Sequence, residues 1–147
     1  MALENAHRKA TAGARKSTDR AVLGVDTVVC VGDEMYGKPG DAEEARSTLR
    51  ALSGRAHTVI SGICLIEQGS AIRAAVRTTV EFRSLDESLL GWYLASEEWR
   101  ERAGAYAIQG RGAALVRRID GDYLNVVGLP VTRLLELAPW LLGAPGG

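Results

Sequence analysis

Cysteine and histidine are nearly missing from this chain: two of each occur in 147 residues. Cys30 and Cys64 lie in apolar, strand-like runs, with no CxxC and no Cys/His ligand spacing. That leaves no pattern for a zinc site or a redox pair, and buried free thiols in a reducing compartment are expected. His7 and His57 stand in unlike contexts, and neither assembles a Ser/His/Asp nucleophile set; His57 begins a strand and reads as structural. Charge of one sign is lacking too. Lys plus Arg equals Asp plus Glu, 18 against 18. A general nucleic-acid binder carries a basic excess or stripe, so no nucleic-acid polymer is expected as a partner. A small anionic ligand needs only a few local cations and stays open. No apolar run reaches the length of a membrane span, so no membrane partner is expected. The polar residues 1–9 contain no signal-peptide apolar core, and the cytoplasm is the default compartment.

What is present is an ordinary globular composition, 46% hydrophobic and 24% charged. Its length suits one domain whose core needs no staples. That domain is set at residues 1–142, with a Gly/Ala/Pro tail at 143–147 expected to be disordered. Residues 3–16, rich in Ala, Arg and Lys, read as a helix, and residues 21–31 as a buried strand. Asp41 with Glu44 resembles a capping box and opens a helix with Ala42, Ala45, Leu49 and Leu52 on one face. Residues 57–66 and 71–82 read as strands joined by a hairpin turn at Gln68-Gly69-Ser70. Ser84 with Glu87 reads as a second capping box, and Ala113 to Val116 as another strand. Gly128-Leu129-Pro130 opens a last helix, with Pro in its first turn. The mixture of helices and strands makes the class α/β or α+β.

The residue with the most chemistry in it is Asp26. It sits in Val22-Leu23-Gly24-Val25-Asp26-Thr27-Val28-Val29-Cys30-Val31, otherwise almost wholly apolar. Asp is a poor strand former, and an isolated buried carboxylate is costly. Two readings follow: a working acid, or an acid at the strand's end that bonds a loop. Lys38, between Gly37 and Pro39, is either a phosphate contact or a solvated loop residue. The cluster Ser96-Glu97-Glu98-Trp99-Arg100-Glu101-Arg102 offers carboxylates to Mg²⁺ or Mn²⁺, or is a salt-bridged surface. In residues 103–112 glycines permit close backbone approach to a ligand, and Gln109 offers both a donor and an acceptor to a base edge. That loop lacks the strand–turn–helix setting of a dinucleotide fingerprint.

Taken together, these segments resemble the Maf family of nucleotide pyrophosphatases. The resemblance is carried by Val25-Asp26-Thr27-Val28-Val29, Gly37-Lys38-Pro39, His57-Thr58-Val59-Ile60-Ser61-Gly62 and Thr78-Thr79-Val80-Glu81-Phe82. It continues in Ala103-Gly104-Ala105-Tyr106-Ala107-Ile108-Gln109-Gly110 and in residues 121–130, and it runs from about residue 4 to about residue 137. It implies an α/β fold like that of inosine triphosphate pyrophosphatases: an elongated mixed sheet flanked by helices around a nucleotide cleft. It implies hydrolysis of a nucleoside triphosphate to the monophosphate and pyrophosphate, with a divalent cation, Mg²⁺ or Mn²⁺. By the same resemblance Asp26 is the catalytic proton acceptor and metal ligand, and Lys38 contacts phosphate. Thr27 and Gln109 match the branch that acts on dTTP and UTP. Glu98 and Arg102 are further substrate-site members. A nucleoside triphosphate is the expected partner, with a homodimer among the expected assemblies.

The chain departs from the family pattern in places. No Ser-x-Ser-Pro-Arg-Arg phosphate loop, and no strand before it, precedes the first matching helix. Glu97 stands where the family has Gly, Glu101 where it has Asp, and Arg102 where it has Lys. An N-terminally shortened pyrophosphatase with impaired turnover is therefore the expected function, since charge stabilisation is a leading catalytic contribution. The alternative is a non-catalytic nucleotide-binding or interaction protein linked to septum formation.

Overall fold

The computed structural model describes residues 2–16 and 21–143. The Val-rich run forms strand β1 (Val22–Val31). A tight turn at Gly32 and Asp33 leads into the short β2 (Glu34–Tyr36), which pairs only with Val29 to Val31. On its other side β1 pairs from Val22 to Cys30 with β3 (Ala56–Glu67). Gln68 and Gly69 close the β3–β4 hairpin with φ of 49° and 81°, as a two-residue turn with both central residues left-handed requires. β4 (Ser70–Phe82) then pairs with β5 (Val116–Asp120). The five strands lie in the order β2-β1-β3-β4-β5, and every pairing is antiparallel. The α/β class and the helix-flanked sheet hold, while the sheet expected to be mixed is antiparallel at every pairing among the described residues. Between Val22 and Val28, β1 has no strand partner on the β2 side among the described residues.

Side chains alternate across a strand, so the sheet has two faces of different make. One face turns Val29, Val31, Val59, Val80 and Phe82 into the main core. Helix α2 (Ala42–Leu52) covers it with Ala45, Leu49 and Leu52. Asp41 caps that helix, its carboxylate accepting from the Glu44 N–H at 2.8 Å, while Glu44 returns a bond from the Gly40 N–H at 3.1 Å. The other face carries Gly24, Asp26, Gly62 and Cys64, and helix α1 (Ala2–Lys16) lies against it. A Cβ on Gly24 would run into the Ala6 carbonyl and stand 2.6 Å from the Ala10 nitrogen; one on Gly62 would meet the Ala2 main chain. α1 thus rests on bare backbone, with Ala6 and Ala10 packed on Cys64. This close seat carries Asn5 and Lys9, one helical turn apart, to Asp26.

Three elements differ from the sequence expectation. The strand expected at 113–116 is instead a 3-10 turn, Gly110–Leu115, and β5 starts only at Val116. The Arg111 and Gly112 N–H groups are taken by the Glu98 carboxylate, which draws the chain away from the ladder. Helix α3 (Glu87–Ala95) is capped by Asp86, which accepts from the Leu89 N–H at 2.8 Å, not by Ser84. Leu85 lies ahead of it and donates its N–H to Ser53 Oγ at 2.7 Å. An unanticipated helix, α4 (Tyr123–Val127), follows an Asp122 cap. The last helix, α5 (Val131–Leu137), begins just after Pro130. Of the expected tail, residues 144–147 lie outside the described residues. No described helix is long and apolar enough to cross a membrane.

Candidate active site

The open stretch of β1 is the centre of a cleft of about 200 Å³. Because Asp26 and Thr27 are adjacent, they point to opposite faces of the sheet. Both line the cleft, which therefore wraps around the strand edge. Asp26 is met on the α1 face. Lys9 Nζ lies 2.8 Å from Asp26 Oδ1 and 3.0 Å from the Val25 carbonyl, and Asn5 Nδ2 donates to Asp26 Oδ2 at 2.9 Å. Each carboxylate oxygen thus accepts one bond and keeps lone-pair capacity. Thr27 is met on the core face, where its hydroxyl lies 2.9 Å from that of the fully buried Ser61.

The opposite wall comes from residues 101–109. Gly104 has φ 72°, and a Cβ there would stand 2.7 Å from Val29 Cγ2, so only glycine lets this segment lie on the floor of the cleft. Its N–H donates to the Gly37 carbonyl at 3.2 Å, which ties the segment to the loop that carries Lys38. Tyr106 fills the space behind. Its hydroxyl bonds His57 Nε2 at 2.7 Å, and its ring meets His57 and Phe82 edge-on. Burial lowers the His57 pKa to about 4, so the imidazole is neutral, in keeping with its structural reading. Burial pushes the Tyr106 hydroxyl far above its usual range, with Tyr93 nearby adding to the effect. The third wall is α4 with Val126, Val127 and Gly128. Asn125 pins it, Nδ2 reaching the Val59 and Val76 carbonyls at 3.2 Å and Thr78 Oγ1 at 3.0 Å.

Five residues singled out in the sequence meet in this cleft: Asp26, Thr27, Lys38, Arg102 and Gln109. Glu98 stands apart from it. Its carboxylate faces the main chain of residues 110–112. Lys9 lines the cleft and Asn5 supports it, and neither was singled out from sequence. Their signal was the four-residue spacing on one face of α1, alongside Ala6 and Ala10; nothing in the sequence shows what that face covers. The lining carries three cations, Lys9, Lys38 and Arg102, against two carboxylates, Asp26 and Glu101. Lys38 and Glu101 are 3.7 Å apart and largely exposed, a pair of little energetic weight. A small cavity with three cations against two carboxylates, and the Gln109 amide beside them, suits a phosphorylated ligand with a polar head.

This combination of helix-flanked sheet and cationic cleft belongs to a known class, and the chain is a member of the Maf-like protein family, whose model matches residues 1–139. It is 44% identical over 136 residues to the dTTP/UTP pyrophosphatase of Pyrococcus furiosus, covering 92% of this chain and 72% of that protein. Against the dTTP/UTP pyrophosphatase of Alcanivorax borkumensis the identity is 47% over 137 residues, 92% of this chain and 70% of that one. The corresponding protein of Thermococcus kodakarensis is also 47% identical over 137 residues, covering 92% and 73%.

Proposed function

We propose that this chain hydrolyses dTTP and UTP to the monophosphate and pyrophosphate. The observation that carries this reading is the meeting of Asp26, Lys38 and Gln109 in one cleft of a chain so similar to dTTP/UTP pyrophosphatases. Asp26 accepts a proton from a water aimed at the α-phosphorus. The water oxygen forms the new bond to phosphorus, and the bond to the bridging oxygen breaks with departure of pyrophosphate. Asn5 and Lys9 orient the Asp26 carboxylate. Lys38 and Arg102 oppose the charge of the phosphates, and Thr27 and Gln109 face the base. A Gln amide suits the paired carbonyl and imide N–H of uracil or thymine.

A divalent cation, Mg²⁺ or Mn²⁺, fits this donor set. Asp26 offers hard oxygens with spare lone pairs. No group of three or more His, Cys, Asp or Glu side chains suited to a metal occurs among the described residues. The cation would therefore be held by Asp26, the triphosphate and water, the sparse protein ligation that Mg²⁺ favours. When bound, it supplies neutralising charge on the triphosphate.

Pyrophosphate release from dTTP, UTP and GTP, with Mg²⁺ or Mn²⁺, tests the reading. The expected result is release from dTTP and UTP that drops about 10²- to 10⁴-fold in Asp26→Asn. A folded protein that releases none would sink the reading and favour nucleotide binding without turnover.

A further inference from the structure

We propose that Tyr93 and Glu98, neither of which lines the cleft, are positioning residues that set the base preference exercised by Gln109. This rests on the proposed pyrophosphatase reading and adds to it the device that aims the base-reading side chain.

The segment around Gln109 has little regular structure of its own. Tyr106 and Gln109 are extended, Gly110 is left-handed at φ 67°, and a 3-10 turn follows. Such a segment takes its position from anchors, and three are present. The Ala107 N–H donates to Tyr93 Oη at 2.9 Å. The Arg111 and Gly112 N–H groups donate to the two oxygens of Glu98 at 3.0 and 3.2 Å. Gln109 thus lies two residues from an anchor on either side. A Cβ on Gly110 would stand 2.8 Å from Glu98 Oε2, so the carboxylate is packed against the main chain beside Gln109.

The anchors themselves stand on firm ground. Tyr93 is fully buried on α3, and burial pushes its hydroxyl up to about 12, so it stays protonated at neutral pH. Glu98 lies in the turn after α3. Its N–H donates to Ser96 Oγ at 3.2 Å, and the neighbouring Trp99 Nε1 donates to the Leu94 carbonyl at 3.1 Å. Hydrogen bonding weakens steeply with misalignment, so a small drift of the loop costs the contact to a uracil-type edge while phosphate contacts made elsewhere persist. The loss therefore falls on pyrimidine triphosphates more than on purine triphosphates.

The test compares kcat/KM for UTP and GTP in the full chain, in Glu98→Gln and in Tyr93→Phe, with Tm measured alongside. Each substitution alters very few atoms, and Glu98 is only partly buried, so its variant folds even if the tyrosine variant does not. The UTP:GTP ratio is expected to fall about fivefold or more, through KM for UTP. In a Gln109→Ala background, Glu98→Gln is expected to change the ratio no further, because both act through one side chain. A purely structural role lowers both nucleotides together. A ratio within about twofold of the unaltered protein's in folded Glu98→Gln would overturn the inference. Equal hydrolysis of UTP and GTP by the unaltered protein overturns base reading at Gln109, and with it this inference. Absence of all hydrolysis overturns the pyrophosphatase reading instead.

Discussion

The Asp26 side of the cleft and the Gln109 side are held by opposite kinds of contact. Asp26 sits on a regular strand, and its partners Asn5 and Lys9 reach it from a regular helix; Lys9 is half exposed. What fixes them is the absence of side chains at Gly24 and Gly62. Gln109 sits on irregular backbone. The buried Tyr93 hydroxyl and the partly buried Glu98 carboxylate hold that backbone by accepting main-chain N–H bonds, and the Tyr106 side chain ties it to His57. The first side depends on steric fit between two elements. The second depends on individual hydrogen bonds. The two sides therefore break in different ways.

The largest effect is expected from Gly24→Ala. The added methyl meets main-chain atoms of α1 that cannot rotate away. Stability should fall by up to about 3 kcal/mol, the limit being what the seating of α1 contributes, read from urea titrations, and pyrophosphate release should fall with it because Lys9 and Asn5 move off Asp26. A loss under about 1 kcal/mol would show that α1 is not seated as described.

Next comes acid pH, which attacks the other side. The folded pKa of His57, about 4, lies below the ordinary 6.5, so folding favours the neutral ring. Its contribution is fully present above about pH 6.5 and is lost as pH falls toward 4. Across that window roughly 2–3 kcal/mol should disappear, and His57→Phe should remove this part of the pH slope. Equal slopes in the two proteins would refute the assignment to His57. Neutral His57 also keeps its bond to Tyr106, so this acid loss is felt beside the base-reading loop.

The smallest effect is a gain. Glu97 has φ 59°, in the left-handed region that costs a side chain about 1–2 kcal/mol. Glu97→Gly relieves that cost but frees the unfolded chain and removes an exposed 3.1 Å pair with Arg100. A net stabilisation of about 0.5 kcal/mol is expected, visible as a small rise in Tm. The substitution returns the residue type that the family pattern has at this position.

The same contrast explains what could be read from the sequence. α1, β1, α2 and the β3–β4 hairpin follow from hydrophobic spacing and turn residues, because regular elements with one buried face leave a periodic trace. The 3-10 turn at Gly110–Leu115 was read as a strand because Ala113 to Val116 is apolar. Its real determinant, Glu98, lies a dozen or so residues earlier, and no local pattern reveals such a bond. The cap of α3 moved from Ser84 to Asp86 because both residue types suit the role and packing chose between them. In the site, Asp26 stood out as an acid in an apolar strand, Lys38 as a cation between Gly37 and Pro39 and Gln109 as an amide in a glycine-rich loop, whereas Thr27 and Arg102 took their roles from the family resemblance. Asn5 and Lys9 did not stand out, because polar residues on an N-terminal helix look like a solvated face until the glycine seat beneath them is seen. Glu98 stood out as a carboxylate, but sequence cannot tell one that faces ligand from one that faces backbone.

The glycine seat has a dynamic consequence. α1 contacts chiefly β1 and β3, and its small cluster of Ala6, Ala10 and Cys64 is separate from the main core. Alanines bury little apolar surface, so the helix can detach as a cooperative unit while the sheet stays folded. Its amide hydrogens will exchange with deuterium ahead of those of β3. Each such opening strips Asp26 of both its partners, so the population of working cleft is set by this one local equilibrium rather than by global stability.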